Sequence, residues 1–448
     1  MPTSKSNRAQ TLRSLVQLLV NTSEVVIKEW EAEEQHPQPD DHLASSLPSH
    51  QLFEARRIIV AACGMCVDLV EDPRIRLQEL SETFALSQAF DTTVRAGVPD
   101  ILAEAMSRSA SVSATELSQR TRIDEKKLVR LMRFLCSGGL YEEVKDLHFA
   151  NTRMSGALAG NPPAQAFQLI YGTKAVIEPL AYLPETLLDP KMTSATSATE
   201  SAFQKAFKTK QTLWDFVEGG DDSDEVVREI RQLFPLSMAG QTQLSSRSIV
   251  ADFPWGSLGE ATIVDVGGGV GSMCTELAKV FPNLHFVVQD LAAAIEQAKS
   301  YWKAEDPKAL GTGRVELMVH DFFKEQPAKG AAVYLLRCVL HDWPDDDCVK
   351  ILTRLREAMA PDSRILIAEM IIHPPLGSTQ LKSAPTPLPA NYGRASLMKG
   401  MHDIVMLSSL NGSERTPEQF VDIASRAGLR TEKIWECRSP VSITELRL

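Results

Sequence analysis

The run Ile263-Val264-Asp265-Val266-Gly267-Gly268-Gly269-Val270-Gly271 leaves few options for the chain around it. An apolar, β-branched stretch that passes through an acid into a cluster of glycines reads as a strand delivering a tight turn that opens a helix. Glycine there permits positive φ and lets the backbone approach a neighbour closely. The rhythm beyond Pro254 agrees. Apolar strands are expected at 261–266, 284–288, 315–319, 331–336 and 365–368, and helices at 273–280 and 348–359. Strand–helix alternation with short connections specifies an α/β fold, a Rossmann-like doubly wound parallel sheet.

The N-terminal half has a different texture. Leu12, Leu15, Val16, Leu19 and Val20 recur at helical spacing, interrupted by polar residues. That is an amphipathic helix rather than a signal peptide, which needs an unbroken apolar core of about 7–15 residues. Residues 31–50 are polar and proline-rich and read as a linker. From 52 to 105 the pattern is helical throughout, with Pro73 and Pro99 where helices start or stop. Helices at 114–121 and 124–135, then Gly138-Gly139 and strands at 140–144 and 147–150, describe a winged helix. Residues 161–250 are helical again, with a polar loop at 193–201, and the five prolines of 374–390 mark a long loop. Four segments are therefore expected: an N-terminal helix and linker (1–50), an all-helical and winged-helix domain (51–160), a helical connecting region (161–250) and the sheet domain (251–448).

Charge narrows the partners. The 448 residues carry 47 Lys+Arg against 58 Asp+Glu, a net charge of −11. A helix-turn-helix with Lys126, Lys127, Arg130 and Arg133 on its second helix raises duplex binding as a possibility. The acidic balance argues against it, as it does against anionic membranes, and a dimerisation or substrate-capping module is the favoured role. The longest apolar run, 58–66, is far short of the roughly 20 residues a membrane span needs. Seven scattered cysteines, an odd number, indicate reduced thiols and a cytoplasmic location. Cys63-Gly64-Met65-Cys66 has redox spacing, but it lies in a helical stretch with no second pair nearby.

Glycine-rich turns are shared by many nucleoside binders, and two details discriminate. The spacing is GxGxG rather than the GxGxxG that cradles a pyrophosphate, and Asp265 precedes it. Acids also end the next two strands, Asp290 after 284–288 and Asp321 after 315–319. Ligands of open α/β sheets bind at such strand ends. Three carboxylates there suit S-adenosylmethionine, which has no phosphate but carries an ammonium, a sulfonium and a nucleoside. In this reading Gly267, Gly268 and Gly269 approach the cofactor, Asp290 accepts both ribose hydroxyls, and Asp321 accepts from the adenine amino group with Phe322 beside the ring. Taken singly, each of these aspartates is equally well a loop or helix-cap carboxylate.

Asp265–Gly271, Asp290, His320-Asp321-Phe322, Leu336-Arg337 with His341-Asp342-Trp343, Glu369 and Glu414-Arg415-Thr416 together resemble the cation-independent, caffeate-type small-molecule O-methyltransferases. The resemblance covers about 50–448 and is closest to the fungal secondary-metabolite branch. It implies the class I methyltransferase fold, an N-terminal domain that makes a homodimer, and a His base flanked by two glutamates. An aromatic, polyketide-type acceptor follows from the resemblance alone.

The chemistry is consistent with that. A phenol has a pKa near 10, as tyrosine does, so a base near neutrality is wanted, and histidine serves. His341 follows the fourth strand. Glu369 and Glu414 are expected to approach its imidazole, fixing the tautomer and stabilising the imidazolium. Arg337 either contacts the cofactor or makes an ordinary salt bridge. Asp342 either touches the acceptor or caps the next helix. Phe203, Phe207, Trp214, Phe234 and Met238, with Met401 and Met406, are the candidates for lining the acceptor pocket, although each singly reads equally as core. His285, His320, His373 and His402 read as structural or solvated. No His/Cys/Asp cluster has metal-ligand spacing along the chain, so no metal is expected. The competing reading keeps the fold and uses the bound cofactor without methyl transfer, as a pericyclase or dehydratase; the retained His and two Glu argue against it.

Overall fold

A computed structural model describes residues 5–35, 47–106, 111–221 and 223–448. The chain forms two compact units, one from residues 1–70, 182–212 and 244–448, the other from 71–181 and 213–243. Their boundaries near 181 and 243 fall inside the helices Lys174–Leu187 and Glu225–Asp252. No linker marks those two places, so they differ from the contiguous segments expected from sequence.

The first unit holds a seven-stranded sheet. Its strands are β1 (Ala261–Val266), β2 (Leu284–Asp290), β3 (Val315–Val319), β4 (Val333–Arg337), β5 (Arg364–Met370), β6 (Arg430–Trp435) and β7 (Val441–Arg447), in the order β3-β2-β1-β4-β5-β7-β6. The first five run parallel, as expected. β7 lies antiparallel between β5 and β6, so the sheet is mixed rather than wholly parallel. Residues 430–435 (RTEKIW) lack the continuous apolar run of a strand buried on both faces and form an edge. The central strands have that run because both faces are covered. Ile263, Val333 and Leu335 pack into one core cluster, while Val264, Tyr334 and Leu336 pack into the other. Strand order reverses between β1 and β4, so the crevice at their C-terminal ends is where such a sheet accepts a ligand.

In the same unit the N-terminal helix spans Lys5–Gln35. It thus takes in 31–35, the start of the stretch expected as linker; residues 36–46 lie outside those described. Leu15 packs with Ala61 and Ala62 of helix His50–Val70 and with Leu388 and Tyr392. Both Cys63 and Cys66 lie in that helix as free thiols.

The second unit contains helices Pro73–Arg95, Val98–Met106, Ala114–Thr121 and Glu125–Ser137. Asp72 caps the first with Pro73 in its opening turn. A three-stranded sheet orders Val112–Ser113, His148–Asn151 and Tyr141–Lys145 beside the helix pair. Leu117, Leu128, Met132, Leu135, Tyr141 and Phe149 make its core. Arg133 is held by Glu143 and Asp146. Among the described residues no helix is long and apolar enough to cross a membrane.

Candidate active site

β1 delivers Asp265 and then the glycine turn. Gly267, Gly269 and Gly271 have φ of 68°, 59° and 79°, values that side chains with a Cβ rarely adopt. A Cβ at Gly271 would stand 2.8 Å from Trp302 and Val288, whereas one at Gly269 would meet no atom within 4 Å. The turn therefore packs tightly on the sheet at one end and is open at Gly269. Asp290 sits directly beside the opening. Its Oδ2 accepts from the Gly269 N–H at 2.8 Å and its Oδ1 from the Leu291 N–H at 2.7 Å.

Asp265 is buried, and burial pushes its carboxyl up to about 6, against the downward pull of the Cys274 thiol (3.2 Å from Oδ2) and the Arg337 charge. Arg337, ending β4, donates from Nη2 to Ser272 Oγ at 3.3 Å. Asp321 accepts from the Phe323 N–H at 2.9 Å. Phe322 lies beside Trp343, ring centroids 5.9 Å apart, and would be 3.5 Å from a Cβ at Gly267. The cofactor residues predicted from sequence are thus gathered at one sheet end.

His341 stands in a 3₁₀ turn, Leu340–Asp342, just past β4. The chain reaches that turn through Cys338, whose φ of 54° is unusual for a residue with a side chain. The bend points the N–H groups of Val339, Leu340 and His341 at Glu369 Oε1, at 3.1, 2.6 and 3.2 Å. Glu369 was expected to approach the imidazole; it meets the backbone of the histidine turn instead, and the carboxylate on the ring is Glu414. Its carboxyl is raised by burial, against the opposing charges of His341 and Arg415.

Glu414 does reach the ring, with Oε1 2.7 Å from His341 Nδ1. Asp342 Oδ1 is 3.5 Å from Nε2. It does not cap helix Asp345–Arg356, whose N-cap is Pro344. Burial would lower the His341 pKa, yet Glu414 and Asp342 hold it well above 6.5. Conversely, burial would raise the Glu414 carboxyl, but His341 and His402 bring it down to about 2. Asp342 is pushed up to about 6, by burial first.

Three further contributors lie here to which the sequence assigned no part in the chemistry. His402, expected to be structural or solvated, has Nδ1 3.0 Å from Glu414 Oε1 and stacks on His341 with centroids 5.6 Å apart. Asp403 Oδ1 accepts from the Glu414 N–H at 2.8 Å. Arg415, 0% exposed, donates to the carbonyls of Leu340 and Trp343 and to Asp345. The donor atoms of His341, His402 and Glu414 lie within 4.8 Å of one another, as a metal-ligand set would. Spacing along the chain could not show this, because the three come from separate segments. The contacts themselves have hydrogen-bond lengths. Of the residues expected in an acceptor pocket, Phe203 is buried in the first unit against Phe207. Trp214, Phe234 and Met238 belong to the second, with Trp214 and Phe234 rings 5.1 Å apart.

A sheet of this order with a glycine turn, strand-end acids and a buried His–Glu pair is the architecture of a class I methyltransferase. Residues 194–430 match the O-methyltransferase domain model and 78–161 the O-methyltransferase dimerisation domain model. The chain belongs to the O-methyltransferase family, in its fungal secondary-metabolite branch. It is 39% identical to the O-methyltransferase gedA of Aspergillus terreus, over 99% of this chain and 97% of that one. It is 38% identical to tpcA of Aspergillus fumigatus, over 98% and 96%. Among solved structures, OxaC superposes with a TM-score of 0.71 at 24% identity, covering 98% of this chain and all of that one.

The family's cofactor is S-adenosylmethionine, and the residues present fit it. The open cradle at Gly269 admits a ligand against the backbone. The acids around it suit a group that carries cationic centres and hydroxyls rather than phosphate.

Proposed function

We propose that this O-methyltransferase methylates a phenolic hydroxyl of an aromatic, polyketide-type secondary metabolite, as a homodimer and without a metal, with His341 as general base. Bound S-adenosylmethionine supplies an already activated methyl group; Asp290, Asp321, Phe322 and Arg337 would hold it with the turn at 267–269. The protein's remaining task is to remove the phenolic proton and to fix the acceptor oxygen. The observation that carries this reading is the Glu414 Oε1–His341 Nδ1 contact of 2.7 Å. It fixes one ring nitrogen and leaves Nε2, beside Asp342, to take the proton. Glu369 supports the same turn by collecting three backbone N–H groups.

In the free enzyme His341 keeps its proton above 6.5, and only the neutral ring can accept another. Turnover is therefore expected to rise with pH through a midpoint above 6.5. His341→Ala should retain donor affinity in calorimetry while turnover of a phenol panel with methyl-labelled donor falls about 10²–10⁴-fold. Loss of donor affinity with unimpaired chemistry would refute the role given to His341. Absence of label in any product from the wild type would favour the pericyclase reading instead, and loss of activity in chelator would refute metal independence.

A further inference from the structure

Helix Leu397–Leu410 carries a second imidazole to the carboxylate that holds His341. His402 is 8% exposed, its ring is within 13° of parallel to that of His341, and the two Nδ1 atoms stand 2.7 and 3.0 Å from one oxygen, Glu414 Oε1. A carboxylate oxygen hydrogen-bonded to one imidazole and at ion-pair distance from a second divides its charge between them. The neighbouring Asp403 fixes the Glu414 backbone N–H at 2.8 Å, so a single helix turn holds both ends of that glutamate.

We propose that His402 is a positioning residue, whose Nδ1–H holds the Glu414 carboxylate in place and, by sharing its charge, eases proton release from His341. The proposal rests on the reading of His341 as the base. The groups that act on His341 are Glu414 from the loop after the helix, Asp342 and Cys338 from its own segment, and Glu369 from β5; His402 stacks on it from the helix, while Asp403 holds the Glu414 N–H and Arg415 the carbonyl of Leu340. Only His402 is altered in the test. Without its donor, the full Glu414 charge acts on His341. The imidazolium is then harder to deprotonate, and the acid limb of the rate profile moves to higher pH.

The experiment compares His402→Gln with His402→Asn. The asparagine amide lies where Nδ1 does and keeps the donor; the glutamine amide lies nearer the position of Nε2 and does not. In His402→Gln the acid limb of kcat should move up by about one pH unit, with kcat near neutrality about tenfold lower, the scale of one charge-assisted hydrogen bond. The KM for S-adenosylmethionine should not change, and His402→Asn should restore most of the profile. Identical profiles for the two variants, or a wild-type profile in His402→Gln, would overturn the inference. His341→Ala is run alongside: if it retains turnover, the base assignment itself has failed, whereas an inactive His341→Ala beside an unaltered His402→Gln removes only the role of His402.

Discussion

Glu414 Oε1 is the atom on which the site's electrostatics turn. Its charge raises His341 while it is itself held at about 2, so neutralising it acts in the opposite direction from removing His402. Glu414→Gln should bring the acid limb of the kcat profile to lower pH, because less charge then opposes deprotonation of the imidazolium. It should also lower maximal turnover about 10–10²-fold, because the tautomer is less firmly fixed. A pH–rate series on the variant checks both signs; a limb that stays put would show that another group governs it. The sign for stability follows from the same value. A carboxyl depressed from 4.5 to about 2 stabilises the fold above its ordinary pKa, and that contribution is lost as pH falls through 2. At this scale the sequence showed unevenly. His341 was legible because it follows a strand end in a sheet whose ligand edge is known from topology. Glu369 was legible as a strand-end acid but its destination was not, since the positive φ of Cys338 decides that backbone N–H groups meet it. His402, a single histidine within a helical pattern, carried no signal until the helix was docked.

The element that brings Glu414 to His341 is the turn leaving helix Leu397–Leu410. Asn411 caps that helix at φ 50°, and Ser413 N–H donates to the His341 carbonyl at 2.8 Å. Between them, a Cβ on Gly412 would lie 2.1 Å from that same carbonyl oxygen. The nearest atoms are all backbone of His341 and Asp342, so no flexible side chain can yield. Gly412→Ala should therefore push the 411–415 segment away from His341, lowering kcat at least tenfold and destabilising the fold by about 1–3 kcal/mol, with donor affinity retained. Thermal melts, donor calorimetry and turnover measured together check this; an unchanged kcat would mean that Glu414 tolerates displacement. Glycine at 412 passed unnoticed because it sits in no glycine cluster, whereas 267–271 stood out because it does. The five parallel strands were readable because burial on both faces demands unbroken apolar runs. The β6–β7 hairpin was not, because the mixed pattern of residues 430–435 fits an edge strand and a surface helix equally well.

On the scale of the whole molecule, the two units interleave in sequence at residues 182–212 and 213–243, and continuous helices hide the crossings near 181 and 243. The second unit contains the whole segment matched by the dimerisation model. It also presents an apolar stripe to solvent: Leu77, Leu80 and Phe84 on helix Pro73–Arg95 are 64%, 57% and 70% exposed. Positions 77, 80 and 84 repeat at helical spacing on one face, and an exposed apolar stripe is the kind of surface that a partner can cover. The homodimer proposed above would give that stripe a partner, a second copy of the same helix in a twofold, self-complementary contact. Leu80→Glu with Phe84→Glu then places like charges opposite one another at the interface. The doubly substituted protein should elute with the mass of one chain where the wild type has the mass of two, as light scattering on a sizing column would measure. Its helix should remain formed, because both residues are exposed in the single chain. A wild type that elutes as a monomer would remove the homodimer. A dimeric double variant would keep the homodimer but move the contact to another face.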